Sequence, residues 1–244
     1  MCRENSDLSA EYRKYKGRVV FQGNKVINQN YESAIFQDLG SAPATMEASK
    51  TADFYGCQEG HTIEVADAEQ AHVQAEIKGL PRYIALPYEE IPDKFKRMRR
   101  PVFRLRRALY GDPEAGAYWE EKVDKHLKAV GFTTLNPEWP SCYFHPELKV
   151  HCVVYVDDFK ISGPTQNIQK AWDLIRQEGG LVIEPPKRID EKGIVFLGGK
   201  TYRKTITLQD GTQAVAIVYD QPEYLQSCVQ RYLSLYKAFK NYYR

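Results

Sequence analysis

The sequence predicts an α+β fold. Strand-like and helix-like segments alternate irregularly, without the strict βαβ order of a parallel sheet. Two apolar runs, Val150 to Val156 and Phe159 to Ser162, flank a pair of acids and read as a hairpin. Helical spacing recurs at 113–130, 165–178 and 222–242. With 244 residues, the chain suits one large domain or two small ones, at roughly 150 residues each.

The elements follow in order. Gly17 to Gln22 reads as a short strand closed by Gly23-Asn24. Residues 43–55 read as a helix opened by Pro43, with Met46, Ala48, Ala52 and Tyr55 as its apolar stripe and Gly56 as its end. Thr62 to Ala66 alternates as a strand that ends at Asp67, and 68–78 can form one helix. Ile84 to Leu86 is a short strand, Pro87 and Pro92 mark loop, and Val102 to Tyr110 is extended. From Pro113 to Val130 the pattern is helical, with Ala117, Trp119, Val123, Leu127 and Val130 inward and Gly131 as the stop. Cys142 to Phe144 is a strand, 146–149 a turn, and Gly163-Pro164 a break after the diacid hairpin. The next helix, 165–178, points Ile168, Ala171, Trp172 and Ile175 inward. Strands follow at 181–184, 194–198, 201–208 and 214–219, with Asp210-Gly211 turning the last pair. Residues 222–242 close as a helix with Pro222 in its first turn.

Composition narrows the function. Hydrophobic residues are 43%, charged residues 27% and aromatics 12%, a globular balance that excludes disordered and collagenous chains. The longest apolar stretch, Cys152 to Val156, is far too short to span a bilayer, and Met1 to Asn5 shows no apolar leader, so no membrane partner is expected. Five cysteines, with no C-x-x-C, argue against a disulfide framework and a zinc site and for a reducing, intracellular compartment. His61 and His72 form no metal-ligand spacing with a cysteine.

Lys+Arg total 34 against 32 Asp+Glu, yet the charges are segregated. Residues 94–107, KFKRMRRPVFRLRR, hold eight basic residues and no acid, Arg97, Arg99 and Arg100 among them. A second basic segment is Arg13, Lys14, Lys16 and Arg18. A run of this kind can be a plain solvated face. Its interleaving with Tyr12, Tyr15, Phe95 and Phe103 instead suits a phosphate backbone with stackable bases.

Three carboxylates could carry chemistry. Asp67 ends one strand, and Asp157-Asp158 sit in a turn between two others. A bare Asp-Asp is often only a polar turn, and Asp67 could simply cap a following helix. The all-apolar strand before Asp157 argues otherwise, since a buried strand brings its acidic tip against a partner. If the strands pair, three carboxylates converge at one sheet edge, where hard cations roughly 4 Å apart can drive in-line phosphoryl transfer.

Tyr155-Val156-Asp157-Asp158 resembles the catalytic box of reverse transcriptases, and its setting is similar to that of copia-type long-terminal-repeat retrotransposons. Lys16-Gly17-Arg18-Val19-Val20 with Gly23-Asn24 resembles the family's K-A-R-L-V-x-x-G-N strand, and Asp67-Ala68-Glu69-Gln70-Ala71 its D-V-x-x-A-F motif. Arg104-Leu105, Ala108-Leu109-Tyr110-Gly111 and then Trp119 resemble R-L-x-x-A-L-Y-G … W, and Phe196-Leu197-Gly198 its F-L-G. The resemblance implies a right-hand polymerase palm with partial fingers and a short start of the thumb. Fingers would be 1–55 and 81–107, palm 56–80 and 108–215, and 216–244 the beginning of a thumb or connection helix.

By the same resemblance, Asp67, Asp157 and Asp158 hold two magnesium ions, with manganese as a substitute. Lys16 and Arg18 meet the incoming triphosphate, His72, Tyr110 and Gly111 line the nucleotide site, and Leu197 and Gly198 steer the primer end. The basic run itself, apart from the resemblance, makes Arg97, Arg99 and Arg100 candidates to hold the nucleic-acid backbone. The implied partners are an RNA template, a DNA primer and deoxynucleoside triphosphates.

The chain departs from the family pattern at three places. His72 stands where Phe or Tyr excludes a ribose 2′-hydroxyl, Glu114 replaces a Gln and sets an anion near the template path, and no strand is visible upstream to pair with Gly17 to Gln22. With no protease, integrase or ribonuclease H segment visible, the chain reads as a piece of a Pol polyprotein. Three functions fit the residues: an RNA-directed DNA polymerase, an inactive retrotransposon remnant that folds and binds nucleic acid, and an unrelated two-metal nuclease. The ordered motifs speak against the nuclease.

Overall fold

The computed structural model describes residues 2–4, 15–17, 19–28, 30–34, 36, 42–136 and 138–242. It is a mixed α+β structure in which every strand pairing is antiparallel. Two short hairpins stand apart: β1 (Cys2–Glu4) with β2 (Tyr15–Gly17), and, later in the chain, β4 (Arg82–Ala85) with β5 (Val102–Leu105). Between them come helix α1 (Met46–Gly56), strand β3 (His61–Asp67) and the single turn α2 (Ala71–Gln74). Then follow α3 (Ala115–Ala129), β6 (Thr133–Thr134), β7 (Cys142–His145), β8 (Val150–Tyr155), β9 (Asp158–Pro164), α4 (Thr165–Arg176) and β10 (Lys187–Arg188). The main sheet has the order β10-β3-β9-β8-β7-β6. A three-stranded sheet of β11 (Ile194–Phe196), β12 (Gly199–Thr207) and β13 (Gln213–Asp220) precedes the terminal helix α5 (Pro222–Tyr242).

The period-two alternation of the central strands sets the layers. Val150, Cys152 and Val154 of β8 and Phe159 and Ile161 of β9 face one way, onto Trp119, Val123 and Leu127 of α3 and Ile168, Ala171, Trp172 and Ile175 of α4. The opposite face turns Val153 toward Ala48 and Ala52 of α1, and Ile63 and Val65 toward Ile189 and Phe196. Among the described residues no helix is long and apolar enough to cross a membrane.

Several local expectations give way. Helix α1 starts at Met46 rather than Pro43, because the Thr45 hydroxyl accepts the Ala48 N–H at 3.2 Å and caps it. Met46 is exposed, and the inner face is Ala48, Ser49, Ala52, Asp53 and Gly56. The helix expected over 68–78 shrinks to Ala71–Gln74 because neighbouring segments take its backbone groups. Glu69 N–H donates to Val182 O, and Ala108 N–H to Ala75 O. The 181–184 strand reduces to a bridge between Ala68 and Ile183. Gly17 to Gln22 is not a strand: the pairing stops at Gly17, and β1 supplies the upstream partner that the sequence hides in three residues, two of them charged. Gly163-Pro164 does not break β9, which pairs through Pro164 with His61.

One buried group gives the fold a pH dependence. His151 of β8 is 3% exposed, its Nε2 has no partner among the described residues, and burial holds its imidazole down at about 4 from an ordinary 6.5. The unfolded chain therefore takes up a proton first as pH falls below 6.5, so this stabilisation is complete above 6.5 and lost on the way to 4. By pH 5 the loss is about 2 kcal/mol. Urea unfolding at pH 8 and pH 5 should show that loss in the parent chain and a smaller one in His151→Leu; equal losses would mean that His151 is solvated in the fold.

Candidate active site

The three aspartates meet at one end of the main sheet. The register of β3 and β9 sets Asp67 directly opposite Asp158, and β8 sets Tyr155 on the other side of Asp158. Val156 and Asp157 form the two-residue loop between β8 and β9. The Asp157 carbonyl accepts the Ala68 N–H at 2.8 Å, so the turn is stitched to the end of β3. Asp67 is exposed, and Asp157 and Asp158 are half-buried. Burial, and next the charges of Asp157 and Asp67, push the Asp158 carboxyl up to about 6.

The turn is held in a conformation its residues do not favour. Val156 has φ +58°, whereas Asp157 is not in the positive region. This is the II′ pattern that tight hairpins use, normally with Gly at the first loop position. A β-branched residue there costs on the order of 1–3 kcal/mol and persists only where surroundings impose it. Trp119 supplies one such restraint: its Nε1 donates to the Val156 carbonyl at 2.6 Å from below.

His72 and Tyr110 stand beside this end. Their rings meet edge to face at 4.8 Å, and the buried Nδ1 of His72 has no partner among the described residues. Desolvation lowers the His72 pKa, opposed by the charges of Asp157 and Asp112, so the ring is neutral near pH 7. Tyr110 continues into Gly111, whose φ is +89° and whose added Cβ would lie 2.2 Å from the Phe21 carbonyl. Only glycine allows that approach. Through it, Phe21 N–H reaches the Tyr110 carbonyl at 2.7 Å and the segment after β2 docks on the site. Lys16 lies on β2, while Arg18 lies outside the described residues.

Glu114, expected near a template path, is paired with a cation. Arg82 of β4 donates to the Asp112 and Glu114 carboxylates and, at 3.0 Å, to the Tyr118 hydroxyl. The Tyr118 hydroxyl in turn donates to Glu114 at 2.7 Å. The side chains of Arg82 and Asp112 are 11% and 0% exposed, so the ion pair is nearly dry and ties the β4–β5 hairpin to α3. The sequence signal for it was thin: one arginine at a strand start and two acids beside Pro113.

The remaining candidates lie elsewhere. Leu197 and Gly198, with φ +49° and +78°, form a I′ turn between β11 and β12 rather than continuing the strand. Arg97, Arg99 and Arg100 are exposed on the connection between β4 and β5.

Among the described residues, no group of three or more His, Cys, Asp or Glu side chains stands gathered as a metal cage. The chemistry of the donor set nevertheless fits magnesium. All three are carboxylates, and a divalent cation would offset the burial and the neighbouring charges that raise Asp158.

Comparison with known proteins bears on the family. The model of the reverse transcriptase (RNA-dependent DNA polymerase) family matches residues 3–177. A transposon Ty5-1 protein of Saccharomyces cerevisiae is 30% identical over 95 residues, which are 37% of this chain and 30% of that protein. The matched stretch thus spans less than a third of that relative's length. With a family match over most of its length, the chain belongs to the reverse transcriptases of copia-type retrotransposons.

Proposed function

We propose that the chain is an RNA-directed DNA polymerase domain whose palm, 56–80 and 108–215, carries catalytic Asp67, Asp157 and Asp158. Fingers correspond to 1–55 and 81–107, and a thumb begins within 216–244. The observation that carries this reading is the β3–β9 register, which sets Asp67 opposite Asp158 beside a turn braced by Trp119. When bound to these carboxylates, magnesium, or manganese in its place, would acidify the primer 3′-hydroxyl and neutralise the triphosphate leaving group. The chain's residues do the rest. The three carboxylates hold charge at the reacting end, Lys16 and Arg18 meet the triphosphate, and Tyr110 and Gly111 form the floor on which the nucleotide pairs with the template. His72 stands under its sugar, and Leu197 and Gly198 steer the primer end.

The test is extension of an oligo-dT primer on a poly-A RNA template with deoxythymidine triphosphate and magnesium. Growth of the primer is expected. A folded chain that binds the duplex without extending it would be the inactive remnant.

The basic connection between β4 and β5 makes a separate prediction. Phosphate contacts release counterions, so affinity falls with salt on a log–log line. Replacing Arg97, Arg99 and Arg100 by Ala should reduce that slope by about 2 to 3. An unchanged slope, read by fluorescence anisotropy across a salt series, would make this cluster a plain solvated face.

A further inference from the structure

On the face of the sheet opposite α3 and α4, two residues beyond Asp158, stands a lysine that belongs to none of the motifs above. Lys160 is 1% exposed. Its ammonium donates to both Asp53 carboxylate oxygens at 2.9 Å and to the Ser49 hydroxyl at 2.9 Å. It also sits 4.6 Å from the centroid of the Phe196 ring. Asp53 is 2% exposed, and its Oδ2 takes a further hydrogen bond from the Tyr219 hydroxyl at 2.6 Å. One polar cluster thus joins α1, the strand that begins with Asp158, the residue before the Leu197-Gly198 turn, and β13.

Hydrophobic packing alone could have covered this face. A buried ion pair is a weak source of stability, because desolvation offsets most of its attraction. Its distinctive property is geometric: a two-oxygen carboxylate and an ammonium satisfied by a hydroxyl and a ring fit in one arrangement. Lys160 bonds to α1 and lies over Phe196, the last residue of β11, and Tyr219 extends the network to β13; a separate tie is the Arg203 guanidinium of β12, which donates to the His61 carbonyl at 3.2 Å. Apart from Phe196, the apolar contacts between the two sheets are few: Ile63, Val65 and Ile189, with Ile194, Leu197 and Ile217 partly buried against them.

We propose that the Asp53–Lys160–Tyr219 network is a positioning device that fixes the three-stranded sheet, and with it the Leu197-Gly198 turn, relative to the Asp157-Asp158 hairpin. It deepens the polymerase reading, since that turn is the one assigned there to the primer end. Lys160 and Tyr219 act through the turn and do not touch the reacting atoms.

Two variants test it. The double variant Asp53→Asn, Lys160→Met removes both charges together and leaves no unpaired buried ion. Tyr219→Phe cuts only the link to β13 and keeps the ion pair. Hydrogen exchange of the full chain should show amides of residues 194–220 opening at least about tenfold faster in the double variant, with those of β8 and α4 unchanged, and a smaller change in Tyr219→Phe. Unchanged exchange, or acceleration spread evenly over the main sheet, would overturn the proposal. Primer extension adds a second readout: KM for the primer–template should rise about tenfold while KM for the nucleotide stays. Equal rises in both would overturn it too. A parent chain that extends no primer would sink the polymerase reading alone, because exchange still decides whether the network holds the second sheet in place.

Discussion

Asp157→Asn is expected to lower primer extension at least about a thousandfold while leaving the fold intact. The substitution is nearly isosteric, and the backbone carbonyl of residue 157 can still accept the Ala68 N–H. What is removed is one negative charge from a set of three. Neutralising charge at a transferring phosphoryl group is worth several kcal/mol. At 1.36 kcal/mol per decade, a loss of about 4 kcal/mol is three decades of rate. The same change relieves Asp158, whose carboxyl is raised by burial and then by its two acidic neighbours. The variant's melting temperature should therefore equal or exceed that of the parent near pH 7, where Asp158 must be ionised against that repulsion. Inactivity with undiminished stability separates a chemical role from a structural one. Activity within tenfold of the parent would remove Asp157 from the catalytic set.

A second large effect is expected at the sugar. His72 is half-buried, stacked edge to face on Tyr110, with an unpartnered Nδ1. A phenyl ring in that place would fill the room a ribose 2′-hydroxyl needs. The smaller imidazole leaves room, and relief of a clash worth about 3 kcal/mol is roughly two decades in relative efficiency. His72→Phe should thus raise the preference for deoxy- over ribonucleotides about a hundredfold. Single-nucleotide extension with both sugars measures this ratio for the two chains. Equal ratios would reduce His72 to a packing partner of Tyr110.

Much of this site was legible in the sequence for a physical reason. The all-apolar run Cys152 to Val156 predicts a buried strand and the acidic pair at its tip a turn, as β8 and its turn into β9 are; their pairing with β3 stood as a condition, which the structure meets. Helices α3 and α4 were legible because their apolar residues recur at helical spacing, and Trp119, Val123, Leu127, Ile168 and Trp172 are all buried. Segments shaped by distant partners were not. The helical propensity of 68–78 loses to backbone bonds with 182 and 106–108. Lys160 misleads in the same way: alternation along β9 puts a lysine on the outward face, and only α1, Phe196 and Tyr219, remote in sequence, make that face an interior. Glu114 read as an anion near the template path because its partner, Arg82, is 32 residues away.

In the polymerase reading proposed above, the Asp67, Asp157 and Asp158 end of the sheet performs template-directed synthesis. The most direct measurement offers the chain four RNA templates that differ only in the base after the primer end, with magnesium and each deoxynucleotide in turn. The expected result is addition of the complementary nucleotide on every template and its loss on chelation of the metal. Shortening of the primer, or no addition by a folded chain that binds all four duplexes, would contradict it.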